Sequence, residues 1–287
     1  MKNISNADLI INQDGSIYHL NLLPEDVADT VITVGDPDRV AEVSRYFDRV
    51  ELKKGKREFI THTGYLGSKR ITVLSTGIGT DNIDIVINEL DALVNIDFNT
   101  RKVKDNLKSL DIIRIGTSGT VQNDISVGTI LVSEYGLGLD TLMHFYNQEL
   151  NSQEFLLLEA IKLHFQHLKG ILPYIAAADS SLLEKIGKDL PKGISLTAPG
   201  FYSPQGREVR AKSSFPNLVD LYSGFNFQNQ RITNLEMETA GIYGLSKVMG
   251  HKAISVNAIL ASRLKFEFSN NPAKIIDEAI QLVLSKI

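Results

Sequence analysis

Thr30-Val31-Ile32-Thr33-Val34 is a run of β-branched residues without a single charge, and it stops at Gly35. Branched side chains favour extended backbone, so the run reads as a buried strand. The device recurs along the chain. Asp111-Ile112-Ile113 leads into Arg114-Ile115-Gly116-Thr117-Ser118-Gly119-Thr120, residues 128–133, 171–178 and 194–198 read as further strands, and 253–260 ends in Ala261-Ser262-Arg263. Segments with helical spacing lie between them. Strands and helices alternate without a Pro/Ser-rich linker or an internal repeat, which predicts one α/β domain over residues 1–287.

The helices carry start signals. Asp36 is placed to cap a helix whose first residue is Pro37 and whose apolar face holds Val40, Val43 and Phe47. A second helix from about Asn82 shows a stripe of Ile83, Val86, Ile87, Leu90 and Val94. Others are expected at 153–168, 180–190 and 236–249, the last with its acids in the first turn, and an amphipathic helix closes the chain. Residues 58–63 and 70–75 bracket a Gly-containing turn and read as a hairpin. Two stretches stand apart: a polar N-terminal arm at 1–16, and a basic surface insertion at 95–109 with Arg101, Lys102, Lys104 and Lys108, read as a solvated face.

Composition removes several classes. A net charge of −4 disfavours nucleic acid as a partner, which needs a basic face. With no cysteine, thiolate chemistry, disulfides and Fe–S clusters are excluded. MKNISNADLIINQDG has no basic stretch followed by a long apolar one, and no apolar run reaches membrane-spanning length, so a cytoplasmic protein without membrane contact is expected. His164 and His167 lie three apart, but no third ligand accompanies them; a surface pair is expected and no metal site. Gly136-Leu137-Gly138 is too short to be a dinucleotide loop.

Four segments read as chemistry. Arg114–Thr120 offers an arginine, hydroxyls and glycine N–H groups, a cradle for a small anion, though taken alone it reads better as a strand followed by a tight turn. Gly35-Asp36-Pro37-Asp38-Arg39 combines a strand end, a helix N-terminus and an arginine one turn in, which is anion-site geometry. Phe201-Tyr202-Ser203-Pro204-Gln205-Gly206-Arg207 joins an aromatic, an amide and a guanidinium. Glu236-Met237-Glu238 could be mere acid enrichment at a helix start, or a grip on paired hydroxyls, since a carboxylate accepts two hydrogen bonds at once.

In this order and spacing the four segments resemble the nucleoside phosphorylases, and among them the uridine-cleaving branch, from about His19 to the last helix. The resemblance implies an α/β fold of three layers around a mixed, partly barrel-like sheet. It implies reversible phosphorolysis of uridine to uracil and ribose 1-phosphate, with no protein nucleophile and no cofactor besides phosphate as co-substrate. Gly35, Arg39, Arg57, Arg114, Gly116 and Thr117 would hold phosphate, Arg57 reaching a neighbouring subunit's site. His19, also lent across the interface, would join Glu236, Met237 and Glu238 at the ribose. Ser118, Gly119, Phe201, Gln205, Arg207, Leu260, Ala261 and Arg263 would surround the base. Catalysis is expected of Arg39, Arg114, Gln205, Arg207 and Glu238, in a dimer or hexamer with shared sites. Some relatives hold a potassium ion between subunits; Glu58 and Ile78 match that site, and Asn82 replaces its usual serine. The purine-cleaving relatives carry an acid where this chain has Ala261-Ser262-Arg263, the thionucleoside hydrolases lack the phosphate arginines kept here, and a non-catalytic nucleoside binder would have no reason to retain all three sets.

Overall fold

The computed structural model describes residues 3–287. Its first half runs β1 (Thr30–Val34), α1 (Pro37–Ser44), β2 (Arg49–Lys56), β3 (Phe59–Leu66), β4 (Lys69–Ser75) and α2 (Thr80–Asn95), then the two-residue strands β5 (Ile96–Asp97) and β6 (Lys102–Val103). The middle comprises β7 (Asp111–Thr120), β8 (Ile130–Gly138), α3 (Ser152–His164), β9 (Tyr174–Ala177), α4 (Ser180–Gly187) and β10 (Lys192–Thr197). The last part holds α5 (Leu218–Ser223), β11 (Asn226–Phe227), β12 (Gln230–Glu236), α6 (Thr239–Met249), β13 (Lys252–Ser262), β14 (Glu267–Phe268) and α7 (Pro272–Lys286).

β1 lies parallel to both β4 and β7, and β13 is parallel to β7 and antiparallel to β8. β10 pairs in parallel with β8 and β12, and β12 returns antiparallel to β7 through Leu235–Gly119 and Asn234–Thr120. That last pairing closes β7, β13, β8, β10 and β12 into a five-stranded barrel, while β4, β3 and β2 extend from β1 as an antiparallel meander. The architecture is therefore the three-layer α/β form with a mixed, partly closed sheet. Helices α1, α4 and α7 bury Val40, Val43, Leu182, Ile186, Ile280 and Val283 against Ile32, Ile113 and Val256. On the opposite side α2 and α6 share a core with Leu20 and Leu22, and α3 and α5 cover β8, β10 and β12. No described helix is long and apolar enough to cross a membrane.

Local signals mark most elements. Asp36 caps α1 by accepting from Asp38 N at 3.0 Å, with Pro37 as its first residue. The stripe Ile83, Val86, Ile87 and Leu90 is fully buried. Other expectations change. The 95–109 segment does more than carry charge into solvent: Arg101 donates to the carbonyls of Ile4, Ser5 and Leu9, and so clasps the arm, whose Leu9 and Ser16 are buried. Residues 1 and 2 of that arm lie outside the described residues. His164 is half-buried rather than at the surface, meeting the Leu221 carbonyl at 2.8 Å under α5. Among the described residues no three His, Asp or Glu side chains gather at metal-binding distance.

Gly136 and Gly138 belong to β8, where their smallness admits neighbours. A Cβ on Gly136 would sit 2.7 Å from Ala240 Cα, and one on Gly138 would sit 2.2 Å from the Tyr174 ring. Gly136 thus sets the distance at which α6 crosses the barrel. Replacing Gly136 with Ala should lower stability by about 1–3 kcal/mol through overpacking against helix backbone, read in a denaturant titration; an unchanged midpoint would show that α6 can retreat freely.

Candidate active site

β1, β4 and β7 run in parallel, so their carboxyl ends open on one crevice, the usual ligand position in such sheets. Gly35 leaves β1 there and Thr76 to Gly79 leave β4, while Arg114 to Thr117 lie within β7, which runs on to Thr120 paired with β13 in place of the tight turn its glycines suggested. The strand-end loops approach closely: Thr76 N donates to Val34 O at 2.8 Å, and the Gly35 Cα faces the Gly77 carbonyl.

Arg114 lies at the centre. Its side chain doubles back over Gly116, where a Cβ would fall 2.0 Å from Nη1, so only glycine leaves room for the guanidinium. Nη1 donates to Asn257 Oδ1 at 2.9 Å and Ser255 Oγ at 3.2 Å; Nη2 meets Glu238 Oε2 at 2.7 Å and Glu236 Oε2 at 3.2 Å. All three charged groups are buried. Burial by itself works against Arg114's charge, yet Glu236 and Glu238 outweigh it and hold its pKa above the ordinary value. Burial pushes the Glu238 carboxyl up, Arg114 pulls it down, and nearby Glu236 pushes it up again, leaving it raised.

The two glutamates differ in what they do. The expected helix start at 236 moves to Thr239, because the Glu236 carboxylate stays on β12 and accepts from the backbone N–H groups of Glu238 and Thr239 at 2.9 and 2.8 Å. Its other oxygen accepts from Thr197 Oγ1, which in turn accepts from Ala240 N. Glu236 is thereby committed to holding the start of α6. Glu238 accepts once on each oxygen, from Gly79 N at 2.9 Å and from Arg114, and keeps a lone pair on each for a further donor. Half-buried Met237 lies between them.

Arg39 projects from the first turn of α1 with its Nε buried and without a partner among the described residues. Burial lowers its pKa, countered by Asp36 and Glu42, and it lies close enough to Arg114 and Glu238 to feel both. A buried, unspent guanidinium donor near a strand end is the mark of a site for an anion.

Further along β7, the Gly119 position packs against Ala261 Cβ and Arg263 Cδ, beside half-buried Leu260. Arg263 donates to the Gln205 carbonyl at 2.9 Å. The Gln205 side chain is buried, and its Oε1 accepts from Arg207 Nη1 at 2.6 Å, which turns the amide nitrogen the other way. Arg207 also donates to Phe201 O at 2.7 Å and lies 3.8 Å over the Phe201 ring, which is itself exposed. Burial, together with the charge of Arg263, pushes Arg207 down to about 10. Ser118 is buried and accepts from Asn234 Nδ2 at 3.0 Å.

Two expected residues stand apart from this set. His19 packs edge-on toward Phe59, and its Nδ1 meets Glu89 Oε1 at 2.6 Å. Arg57 is exposed on the β2–β3 turn in the left-handed conformation, φ +57°, which a non-glycine residue seldom adopts. The two share one edge of the molecule. Glu89, Gly79, Thr197, Ser255, Asn257 and Asn234 are site-forming residues that carried no signal in the sequence: each acts through a partner distant in the chain. Glu58 and Asn82 both flank Gly77. A separate cleft of about 600 Å³, lined by Met143, Tyr146, Phe165, Leu172 and Tyr174, contains none of these residues.

A family model described as the phosphorylase superfamily matches residues 29–285. The chain is 30% identical to a uridine phosphorylase of Thermococcus kodakarensis over 94% of its own length and 88% of that protein. It is 27% identical to the uridine phosphorylase of Escherichia coli (93% of this chain, 98% of that one) and 27% identical to a DeoD-type purine nucleoside phosphorylase of Colwellia psychrerythraea (83% and 84%). The solved Trypanosoma brucei nucleoside phosphorylase, reported to show uridine phosphorylase activity, superposes with a TM-score of 0.87 at 27% identity, covering 97% of this chain and 99% of that one.

An anion at Arg39 has a thermodynamic signature. Inorganic phosphate at one hundred times its dissociation constant should stabilise the protein by about 2.7 kcal/mol, seen as a rise in Tm. Arg39→Ala should lose most of that rise; an equal rise in the variant would remove Arg39 from the anion site.

Proposed function

The chain belongs to the phosphorylase superfamily, and on that premise we propose that it catalyses the reversible phosphorolysis of uridine, with phosphate displacing uracil at the anomeric carbon to give ribose 1-phosphate. The observation that carries the pyrimidine assignment is the Arg263–Gln205–Arg207–Phe201 assembly beside Gly119. It offers a directed amide nitrogen, guanidinium donors and an exposed aromatic ring to a planar base rich in carbonyls. Ala261-Ser262-Arg263 supplies no acid to protonate a purine ring nitrogen. Its relatives named as uridine phosphorylases support the same reading.

On this reading Arg39, Arg114, Gly35, Gly116 and Thr117 bind phosphate, with Arg39 Nε as the unspent donor. Glu238 accepts from the ribose hydroxyls with its two remaining lone pairs, Met237 packs beside the sugar, and Glu236 supports both by fixing the backbone at 238 and 239. The transition state places positive charge on the sugar and negative charge on the departing base. The first is stabilised by the incoming phosphate and the Glu238 side, the second by donors from Gln205 and Arg207. Phosphate is itself the nucleophile, so the protein supplies positioning and charge, and no cofactor takes part. Phe201 meets the base face, and Ser118, Gly119, Leu260 and Ala261 wall its pocket.

His19 and Arg57 fit a role in a neighbouring subunit's site. Glu89 accepts the backbone N–H groups of His19 and Leu20 as well as Nδ1–H, so the His19 Nε2 is left free at an edge shared with Arg57. The active unit on this reading is at least a dimer, with each protomer completing the other.

Uridine and phosphate together should yield uracil, and uridine without phosphate should not; hypoxanthine from inosine with no uracil from uridine would overturn the assignment. Arg207→Ala should lower kcat/KM for uridine by roughly a hundredfold, the loss of one preorganised charged donor, with little change in Tm. Ionised Glu238 is the form that accepts from ribose, so activity falls as pH drops through its pKa. Because burial raises that pKa, this acid limb should begin above the usual glutamate value of about 4.3. Glu238→Gln should remove the limb from the pH profile, leaving any limb that belongs to phosphate itself.

A further inference from the structure

Five barrel strands each contribute to a chain of buried side-chain hydrogen bonds that begins at Arg114. From β13, Asn257 Oδ1 accepts from Arg114 Nη1 at 2.9 Å, and Asn257 Nδ2 reaches Ser133 Oγ on β8 at 2.9 Å. Ser133 Oγ meets Ser195 Oγ on β10, Ser195 Oγ donates to Asn234 Oδ1 on β12 at 2.9 Å, and Asn234 Nδ2 donates to Ser118 Oγ, back on β7, at 3.0 Å. Ser133, Ser195, Asn234 and Asn257 are fully buried. The belt thus leaves β7 at Arg114 and rejoins it four residues later.

Its direction is fixed at one end. An arginine can only donate, so Asn257 must turn its oxygen to Arg114 and its amide nitrogen to Ser133. Ser133, having accepted there, spends its own proton on Ser195; Ser195 spends its proton on Asn234; and Asn234 presents N–H to Ser118. The reverse order would strand the Ser133 proton in a fully buried position, at a cost of about 1–3 kcal/mol. At the end of the belt Ser118 is an acceptor toward the protein, and among the described residues no group takes its own proton.

We infer that Ser133, Ser195, Asn234 and Asn257 are positioning residues that carry the donor polarity of Arg114 around the barrel and fix Ser118 as a hydrogen-bond donor to the nucleoside. This rests on the phosphorolysis reading only in assigning Ser118 to the nucleoside side. A donor there is worth more as the base takes up negative charge, because it strengthens when charge develops and needs no reorientation. Phosphate binding depends less on the belt, since Arg114 keeps Glu238 and Ser255 when the belt is cut at its middle.

The test is a double-mutant cycle between Ser195, which the belt separates from the site, and Ser118. Ser195→Ala in the otherwise wild-type enzyme should lower nucleoside kcat/KM roughly tenfold, the value of one aligned hydrogen bond, with the KM for phosphate unchanged within about twofold. In a Ser118→Ala background the same change should alter nucleoside kcat/KM by less than about twofold, because Ser195 acts through Ser118. An equal loss in both backgrounds, or no loss in Ser195→Ala alone, overturns the inference, since a merely structural role would not depend on Ser118. Ser133→Ala cuts the belt one link earlier and must behave alike, which covers a Ser195 variant that fails to fold. The cycle is run on whichever nucleoside the wild-type enzyme cleaves, or on nucleoside Kd by calorimetry. A wild type inactive on uridine therefore refutes the substrate assignment and leaves the cycle to decide the belt separately.

Discussion

One buried guanidinium shared by two buried carboxylates organises this molecule. Taking Arg114 out of water is costly, and Glu236 and Glu238 offset that cost only while all three stay in register. Each partner is fastened to a different element: Glu236 to the start of α6, Glu238 to Gly79 at the start of α2, and Arg114 to β13 through Ser255 and Asn257. The ion triad therefore joins two helices and three strands, β7, β12 and β13. Removing Arg114 would leave two buried carboxylates facing each other without compensation.

The same cluster distributes its hydrogen-bonding capacity unevenly. Glu236 is consumed by backbone N–H groups and Thr197, so the site's free carboxylate capacity falls to Glu238 alone. Arg114 spends both terminal nitrogens on its partners, whereas Arg39 retains an unpaired buried donor. Free donor and free acceptor capacity thus fall to different residues that are neighbours in space, and Gln205 and Arg207 are held through Arg263 near Gly119, further along β7. Low dielectric strengthens each of these interactions without a reorganisation step.

Much of the framework was legible from local pattern. β-branched runs gave the buried strands, Asp36 and Pro37 marked the start of α1, and the stripe from Ile83 to Leu90 named the buried face of α2. These signals survive because backbone propensity and capping act within a few residues. Where local pattern misled, a tertiary contact had overruled it. Glu236 and Glu238 resembled first-turn acids, yet Glu236 caps α6 from the end of β12; the basic 95–109 segment resembled a solvated face, yet Arg101 binds three carbonyls of the arm.

The sequence by itself determined which residues are available: arginines at strand ends, a Glu-Met-Glu step, an amide and a guanidinium two apart, and no thiol. What only the tertiary structure decided is which of them meet. Arg114 and Glu238 are 124 residues apart, and His19 and Glu89 are 70 apart, so no periodicity or cap connects them. The Arg114–Ser118 stretch of β7 is the anchor of an ion triad and both ends of a hydrogen-bonded belt because barrel closure brings β12 back to β7. That closure is a long-range pairing, set by packing of the whole sheet and invisible to any short window of sequence.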